Sequence, residues 1–327
     1  MKYRKFQNHE ISEIGLGTWQ LGSADWGQIS DEDAFKILNA FVAAGGNFID
    51  TADVYGMGIS ESIIGRFLKT TNKSLYVATK LGRRGDAPNG WPQNFSLDIM
   101  RKHVESSLEN LGVSSLFLEQ LHCIPQAELE SGKVFDHLRQ LQSENLIQNW
   151  GVSVETAEEA LICLEQEGLA SLQIIFNMFR QHYAEEFFAK AKEKNVALIV
   201  RVPLASGLLS GRYNSASSFP ENDHRNYNAN GEQFNVGETF SGVEFSKGVA
   251  FAQQIAGTLP DERTAQWALR WILDHPEVTT VIPGASKVSQ VESNVAASEL
   301  PSLSSDVHSQ LKALYNSDIL PSIRGRF

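Results

Sequence analysis

The 327-residue sequence has few of the features that mark several large classes of protein. Two cysteines, Cys123 and Cys163, cannot form a disulfide framework or a four-ligand zinc site. The net charge of −11 argues against a nucleic-acid partner or an anionic membrane surface, which both select a basic face. No window approaches the ~18 consecutive apolar residues that a membrane span requires.

The sequence also shows no targeting segment and no linker that would divide it into domains. The opening "MKYRKFQNHE" is charged and has no apolar core, so we expect no signal peptide and a cytoplasmic protein. The hydrophobic content of 42% and the charged content of 20% are typical of a packed soluble chain. No internal repeat or linker is visible. We therefore predict a single domain over residues 1–327.

Short apolar runs rich in β-formers alternate with amphipathic segments along nearly the whole chain. The segments at 30–46 and 96–112 show apolar residues at helical spacing, and each ends at a glycine. Continuous apolar strands that alternate with helices indicate a parallel sheet covered by helices. Eight strand-like runs are present: "EIGLGTW", "NFIDTA", "LYVATKLG", "LFLEQLHC", "QNWGVSV", "LQIIFN", "ALIVRVPL" and "TTVIPGAS".

Eight such units in this length predict the α/β fold of a (β/α)8 TIM barrel. The residues before the first run predict an N-terminal β-hairpin with Asn8-His9 at its turn. Residues 212–243 are polar and aromatic without a period, and they predict a long loop after strand 7. A loop of this length inside a compact domain usually covers an active site or binds a ligand.

Polar side chains lie at the ends of neighbouring apolar runs, and (β/α)8 barrels carry their active sites at the carboxyl ends of the strands. Asp50 and Tyr55 follow the second run, Lys80 the third and His122 the fourth. Each alone has an ordinary explanation, such as a helix cap, a packed tyrosine, a solvated lysine or a hydrogen-bonded histidine. Four of them at adjacent strand ends converge on one point.

These four residues suit the reduction of a carbonyl group. A lysine ammonium favours the phenolate of a nearby tyrosine, and an aspartate keeps that lysine charged and oriented. A neutral histidine can position the carbonyl oxygen while Tyr55 supplies its proton. No metal is required, and the sequence shows no cluster of metal ligands.

The segments "FIDTADVYG", "ATKLG" and "QLHC" resemble those of the aldo-keto reductases, and the similarity runs from "GLGTWQLG" to "IPGASKVSQVESN". The family has a (β/α)8 barrel and a tetrad of Asp, Tyr, Lys and His, matched here by Asp50, Tyr55, Lys80 and His122. The resemblance implies an NADP(H)-dependent oxidoreductase that reduces an aldehyde or ketone. NAD(H) is the second candidate cofactor.

The resemblance also implies a set of cofactor-binding residues. Ser153 and Gln173 match the partners of the nicotinamide carboxamide, although Val154 replaces an asparagine that the family often has. "RVPLASGLLSGR" matches the loop around the pyrophosphate, and "IPGASKVSQVESN" matches the segment that binds the ribose phosphate. The full set is Thr18, Trp19, Asp50, Ser153, Gln173, Arg201, Leu204, Ser206, Gly207, Leu209, Ser210, Gly284, Ser286, Lys287, Gln290 and Asn294.

Two of these positions depart from the family pattern. Arg201 replaces an aromatic residue that stacks on the nicotinamide, and it predicts either a stacked cation that favours the reduced cofactor or a salt bridge. Gln290 stands where many NADP-specific members have arginine, which leaves Ser286 and Lys287 to meet a 2′-phosphate. We predict NADP as the cofactor.

The substrate pocket is expected to contain Trp19, Trp26 and Trp91, with a small-molecule carbonyl compound as the partner. Three alternatives remain. A barrel aldolase would use Lys80 as a Schiff base, a regulatory protein would resemble the potassium-channel β-subunits, and a dehydrogenase would work mainly in the oxidative direction. The sequence does not identify the native substrate or the oligomeric state.

Overall fold

The structure, a computed structural model, describes residues 1–22, 29–84, 95–214 and 216–327. Trp26 and Trp91, both predicted for the substrate pocket, lie outside the described residues.

A β-hairpin opens the chain, as predicted, and covers one end of the barrel. Strands β1 (Tyr3–Phe6) and β2 (His9–Ser12) pair antiparallel. The turn is Gln7-Asn8, one residue earlier than expected, because Phe6 pairs with His9. This register buries Phe6 and Ile11 in a small apolar cluster between the hairpin and the barrel strands.

Eight parallel strands follow in chain order and form the predicted (β/α)8 barrel. Backbone hydrogen bonds join the residues that lead into its first strand to its last strand: Gly15 N donates to Val281 O at 2.8 Å, and Val281 N donates to Glu13 O at 3.0 Å. The strands are β3 (Leu16–Gly17), β4 (Phe48–Asp50), β5 (Tyr76–Leu81), β6 (Leu116–His122), β7 (Ile147–Ser153), β8 (Leu169–Ile175), β9 (Ala197–Arg201) and β10 (Val278–Val281).

Helices pack around the strands, and the described residues contain no helix that is both long and apolar enough to cross a bilayer. The helices are α1 (Trp19–Gly22), α2 (Asp31–Ala43), α3 (Ile59–Leu68), α4 (Leu97–Leu111), α5 (Gln126–Ser131), α6 (Lys133–Ser143), α7 (Ala157–Leu164), α8 (Tyr183–Glu186), α9 (Phe188–Glu193), α10 (His224–Tyr227), α11 (Phe245–Thr258), α12 (Thr264–Leu273), α13 (Val288–Ala296) and α14 (Ser305–Leu314).

Helix α2 shows how local sequence sets the helix ends. Ser30 Oγ accepts a hydrogen bond from Asp33 N at 3.1 Å, which caps the first turn. Three acidic residues in that turn complement the positive end of the helix dipole. Gly45, in the left-handed region with φ of 87°, then turns the chain toward β4.

Helices α3 and α4 are in close backbone contact at Gly65. A Cβ atom there would lie 2.2 Å from the carbonyl oxygen of Asn110 and 2.8 Å from Cα of Leu111. Both neighbours are backbone atoms, so neither can move aside by changing a rotamer. Gly65 therefore permits the contact between the two helices that flank β5.

We expect Gly65→Ala to lower the free energy of unfolding by about 1–3 kcal/mol, because the added methyl group overpacks a backbone contact. Urea unfolding checks this. Gly257→Ala is the matched control, since Gly257 is helical and its Cβ would meet nothing within 4 Å. That variant should gain about 0.5 kcal/mol. Equal effects of the two substitutions would contradict the packing argument.

Candidate active site

A buried ion pair lies at the carboxyl end of the barrel. Asp50 ends β4, and Lys80 lies near the end of the neighbouring strand β5. Lys80 Nζ is 2.5 Å from Asp50 Oδ1 and donates a second hydrogen bond to Thr51 O at 2.7 Å. The two charged side chains are 1% and 3% exposed, so each is the other's counter-ion in a site removed from bulk solvent.

Two glutamines hold the other carboxylate oxygen of Asp50. Gln173 Nε2 donates to Asp50 Oδ2 at 2.7 Å, and Gln120 Nε2 lies 3.3 Å from the same atom. Gln173 was predicted as a cofactor contact, and its amide nitrogen here faces Asp50. Gln120 was not anticipated. In the sequence, Gln120 could have been found as an amide side chain inside an apolar strand. It lies two residues before His122 and therefore on the same face of the strand.

Tyr55 lies above this pair. Lys80 Nζ is 5.1 Å from the centre of the Tyr55 ring. Burial raises the pKa of Tyr55, and the positive charge of Lys80 only partly opposes that effect. Burial alone would lower the pKa of Lys80, but Asp50 and Tyr55 together raise it. The site therefore presents a protonated phenol beside an ammonium group.

His122, the last residue of β6, meets Tyr55 edge-on, with ring centres 6.0 Å apart. Burial lowers the pKa of His122 well below its usual value, and the nearby charges of Arg83, Lys80 and Arg201 lower it further. The imidazole is therefore neutral at physiological pH. The structure thus brings all four predicted catalytic residues to one end of the barrel.

A cavity of about 950 Å³ opens above these residues. Residues from the ends of β3, β9 and β10 line it, together with the loop that follows β9. Of the predicted cofactor residues, those that line the cavity are Thr18, Trp19, Asp50, Gln173, Arg201, Leu204, Ser206, Gly207, Ser210, Gly284, Ser286 and Gln290.

The remaining four predicted cofactor residues lie outside this cavity. Ser153 and Leu209 are buried behind its wall. Asn294 lines an adjoining cavity of about 250 Å³, which also contacts Arg212 and Arg263. Lys287 is exposed at the start of α13 and lines neither cavity.

The long loop predicted after strand 7 covers the cavity. It contains helix α10 and further short turns, and we call residues 223–238 the roof segment. His224 packs on Trp19 with ring centres 4.9 Å apart, and Phe234 meets the same indole at 6.3 Å. Trp19 also stacks near Tyr55 at 6.1 Å, so aromatic rings form one wall beside the predicted tetrad.

Arg201 forms the salt bridge that was one of its two expected roles. Its guanidinium pairs with Glu238 of the roof segment, and it also donates to Val154 O at 3.1 Å. Arg201 and Glu238 are each 9% exposed. Because the pair is neutral overall, Arg201 is not an uncompensated cation. The predicted preference for the reduced over the oxidised cofactor required such a cation, so the structure gives it no support.

A second ion pair lines the cavity and was missed in the sequence. Arg83 Nη2 is 3.0 Å from Glu155 Oε1, and Asn235 Nδ2 donates to Glu155 Oε2 at 3.1 Å. Cys123, Glu155 and Glu238 have potential metal-ligand atoms within 4.8 Å of one another. Both carboxylates are already bound to arginine, which disfavours a cation there.

Carboxyl groups also collect between the barrel and helices α3 and α4. Glu119 is 1% exposed, and neither of its carboxylate oxygens has a hydrogen-bond partner among the described residues. Glu61 nearby accepts from Thr79 Oγ1 at 2.6 Å and from Asn110 Nδ2 at 3.0 Å. Burial raises the pKa of Glu119 well above its usual value, and the charges of Asp53 and Glu61 add to the effect.

Residues 13–316 match the profile described as "Aldo/keto reductase family". The chain belongs to this family. An aldo-keto reductase named str7 from Strobilurus tenacellus is 30% identical over 329 residues, which cover 97% of this chain and 93% of that protein. Aldo-keto reductase yakc [NADP(+)] from Schizosaccharomyces pombe is 26% identical over 323 residues, 97% of this chain and 92% of that one.

A solved structure of this oxidoreductase family has the same fold. The glycerol dehydrogenase AKR11B4 from Gluconobacter oxydans superposes with a TM-score of 0.79 at 27% identity. The match covers 99% of this chain and 98% of that one. The family resemblance predicted from the sequence segments is therefore confirmed.

The buried carboxyl of Glu119 predicts how stability depends on pH. Its pKa is higher in the folded than in the unfolded state, so its stabilising contribution is complete below the unfolded pKa and is lost as pH rises through the folded pKa. Glu119→Gln cannot ionise. We expect its free energy of unfolding to fall less between pH 5 and 8 than that of the wild type.

Urea unfolding at several pH values measures this difference. Glu109→Gln is the matched control, because Glu109 is exposed on α4 and should leave the pH dependence as it is. Parallel curves for the wild type and Glu119→Gln would contradict the argument.

Proposed function

We propose that this protein is an NADP(H)-dependent oxidoreductase that reduces an aldehyde or ketone to the alcohol, with Tyr55 as the proton donor. The observation that carries the proposal is the buried Asp50–Lys80 pair next to the protonated Tyr55. A neutral His122 on the neighbouring strand completes the arrangement. Together they suit a reaction in which a carbonyl oxygen must gain a proton.

The residues around the cavity fit a nicotinamide cofactor, which the family typically binds. The cavity runs from Asp50, Tyr55 and His122 to Ser286 and Gln290, and its volume of about 950 Å³ is that of a large ligand pocket. Val202, Ala205 and Ser206 all have positive φ, so the loop after β9 turns sharply beside the cavity. The name of the fission-yeast relative supports NADP.

The proposed mechanism follows from the residues that face the substrate. When bound, the nicotinamide supplies the hydride that adds to the carbonyl carbon. Tyr55 donates its phenolic proton to the carbonyl oxygen as negative charge develops there. Lys80 stabilises the phenolate that is left, and Asp50 keeps the ammonium in place.

His122 serves as a hydrogen-bond donor in this proposal. A neutral imidazole carries one N–H, which can point at the carbonyl oxygen without competing for its proton. Its low pKa keeps a second proton off the ring at neutral pH. The same groups run in reverse for alcohol oxidation, and the Gluconobacter relative is named as a glycerol dehydrogenase.

We also propose that residues 1–327 form one domain. Phe6 and Ile11 of the hairpin share an apolar cluster with the barrel strands. At the other end of the sequence, the core contains Leu311 of α14 and Ile319. Both ends of the chain therefore contribute to the packing of the barrel.

Tyr55→Phe should lower kcat for carbonyl reduction by about 10²–10⁴-fold, because it removes only the proton donor. NADPH binding, followed by quenching of tryptophan fluorescence, should change by less than about threefold. Tyr76→Phe is the control, since Tyr76 lies at the hairpin end of the barrel against Phe117. Normal turnover by Tyr55→Phe would exclude Tyr55 as the acid.

Lys287→Ala tests the NADP preference. If the Lys287 ammonium meets the 2′-phosphate, the variant should bind NADPH about fivefold more weakly and NADH with little change, since one exposed charge contact is lost. Parallel titrations with both cofactors measure this. If the affinities for NADPH and NADH fall equally, or neither falls, Lys287 does not bind the 2′-phosphate. Arg212 and Arg263, which line the adjoining cavity with Asn294, would then be the next candidates.

A further inference from the structure

We propose that Arg83, Glu155 and Asn235 form a wall of the substrate pocket that recognises hydroxyl groups. The inference rests on the proposed function and narrows its substrate to neutral carbonyl compounds that carry a hydroxyl next to the carbonyl. We call these three residues the polar wall.

The topology of the barrel places the polar wall beside the reacting atoms. Strand β6 lies between β5 and β7 and ends in His122. Arg83 follows the end of β5, and Glu155 follows the end of β7. Their ion pair of 3.0 Å therefore spans the end of the strand that carries His122. A substrate whose carbonyl reaches His122 has its adjacent atoms next to this pair.

The hydrogen bonds within the polar wall leave capacity for a ligand. Glu155 accepts one bond from Arg83 and one from Asn235, whereas a carboxylate has about four acceptor positions. Asn235 is fixed in turn, because its Oδ1 accepts from Gly237 N at 2.7 Å. The wall is thus preorganised, with an oxygen that can still accept a substrate hydroxyl.

Stability does not account for this ion pair. The Arg83 and Glu155 side chains are only 20% and 21% exposed, so both charges have lost most of their water. A largely buried pair of this kind is weak evidence for stability, since apolar residues often serve as well. A pocket for purely apolar carbonyl compounds would also bind them better without charged groups.

The charges near the polar wall argue for a neutral substrate. Arg83 is balanced by Glu155, and Arg201 by Glu238, so neither arginine presents an uncompensated charge to a carboxylate or a phosphate. Trp19 and Phe234 supply an aromatic surface in the same cavity. A pocket with aromatic surface and paired charges suits a molecule with C–H and O–H groups and no net charge.

The experiment compares matched aldehydes with NADPH as the reductant. Glyceraldehyde and propanal differ by the two hydroxyl groups, and glyoxylate carries a carboxylate in place of the ethyl group of propanal. For the wild type we expect kcat/KM, expressed per free carbonyl form, to be at least about tenfold higher for glyceraldehyde than for propanal. Glyoxylate should be the poorest of the three.

The variant Glu155→Gln keeps the shape of the side chain and removes its charge. We expect its preference for glyceraldehyde over propanal to fall about tenfold relative to the wild type. The ratio of the two substrates cancels any general loss of activity or folding. Glu158→Gln is the matched control, because that carboxylate is exposed on α7 and should leave the ratio as it is.

The outcomes separate this inference from the proposed function. If NADPH quenches the tryptophan fluorescence but none of the three aldehydes is reduced, only this inference is overturned; if NADPH does not bind either, the proposed function is overturned as well. If propanal is reduced but glyceraldehyde is not preferred, or glyoxylate is the best substrate, only the polar wall is wrong. An unchanged ratio in Glu155→Gln likewise overturns the inference.

Discussion

The ion pair between Lys80 and Asp50 constrains the rest of the site. Two opposite charges on neighbouring strands are removed from water, which is tolerated only if each finds further polar partners. Thr51 O accepts from the lysine, while Gln120 and Gln173 donate to the aspartate. This end of the barrel interior must therefore be polar, whereas the hairpin closes the other end with apolar side chains.

The register of the parallel strands brings residues that are distant in sequence together in one site. Lys80 lies opposite Gln120, and His122 lies opposite Ser153, so residues in the same position along neighbouring strands become neighbours in space. Alternation within a strand then decides which of them face inward. Gln120 and His122 share the inner face of β6, while Glu119, the residue before Gln120, faces outward toward α3 and α4. At this end the barrel thus has a polar interior and a separate acidic layer outside it.

The strands and the positions of the four candidate catalytic residues could be predicted from the sequence because both depend on local signals. Apolar runs mark the strands, and Asp50, Lys80 and His122 stand where those runs end. The ion pair between Arg83 and Glu155 joins two loops 72 residues apart, and nothing local in either loop indicates its partner. Glu238 lies in a segment without a period, so sequence could propose a salt bridge for Arg201 but could not name the acid. The hairpin turn was misplaced by one residue because tertiary burial of Phe6 set the register.

The pairing of Arg201 with Glu238 links electrostatics to the position of the roof segment. Arg201 is fixed at the end of β9, in a site where burial disfavours an isolated charge. Glu238 supplies the balancing carboxylate, and Arg201 together with Arg83 lowers the pKa of Glu238 although burial alone would raise it. If the roof segment moved away, Arg201 and Glu238 would each have to exchange this partner for water. The contact with Glu238 therefore helps to fix the roof segment, which also places His224 and Phe234 against Trp19.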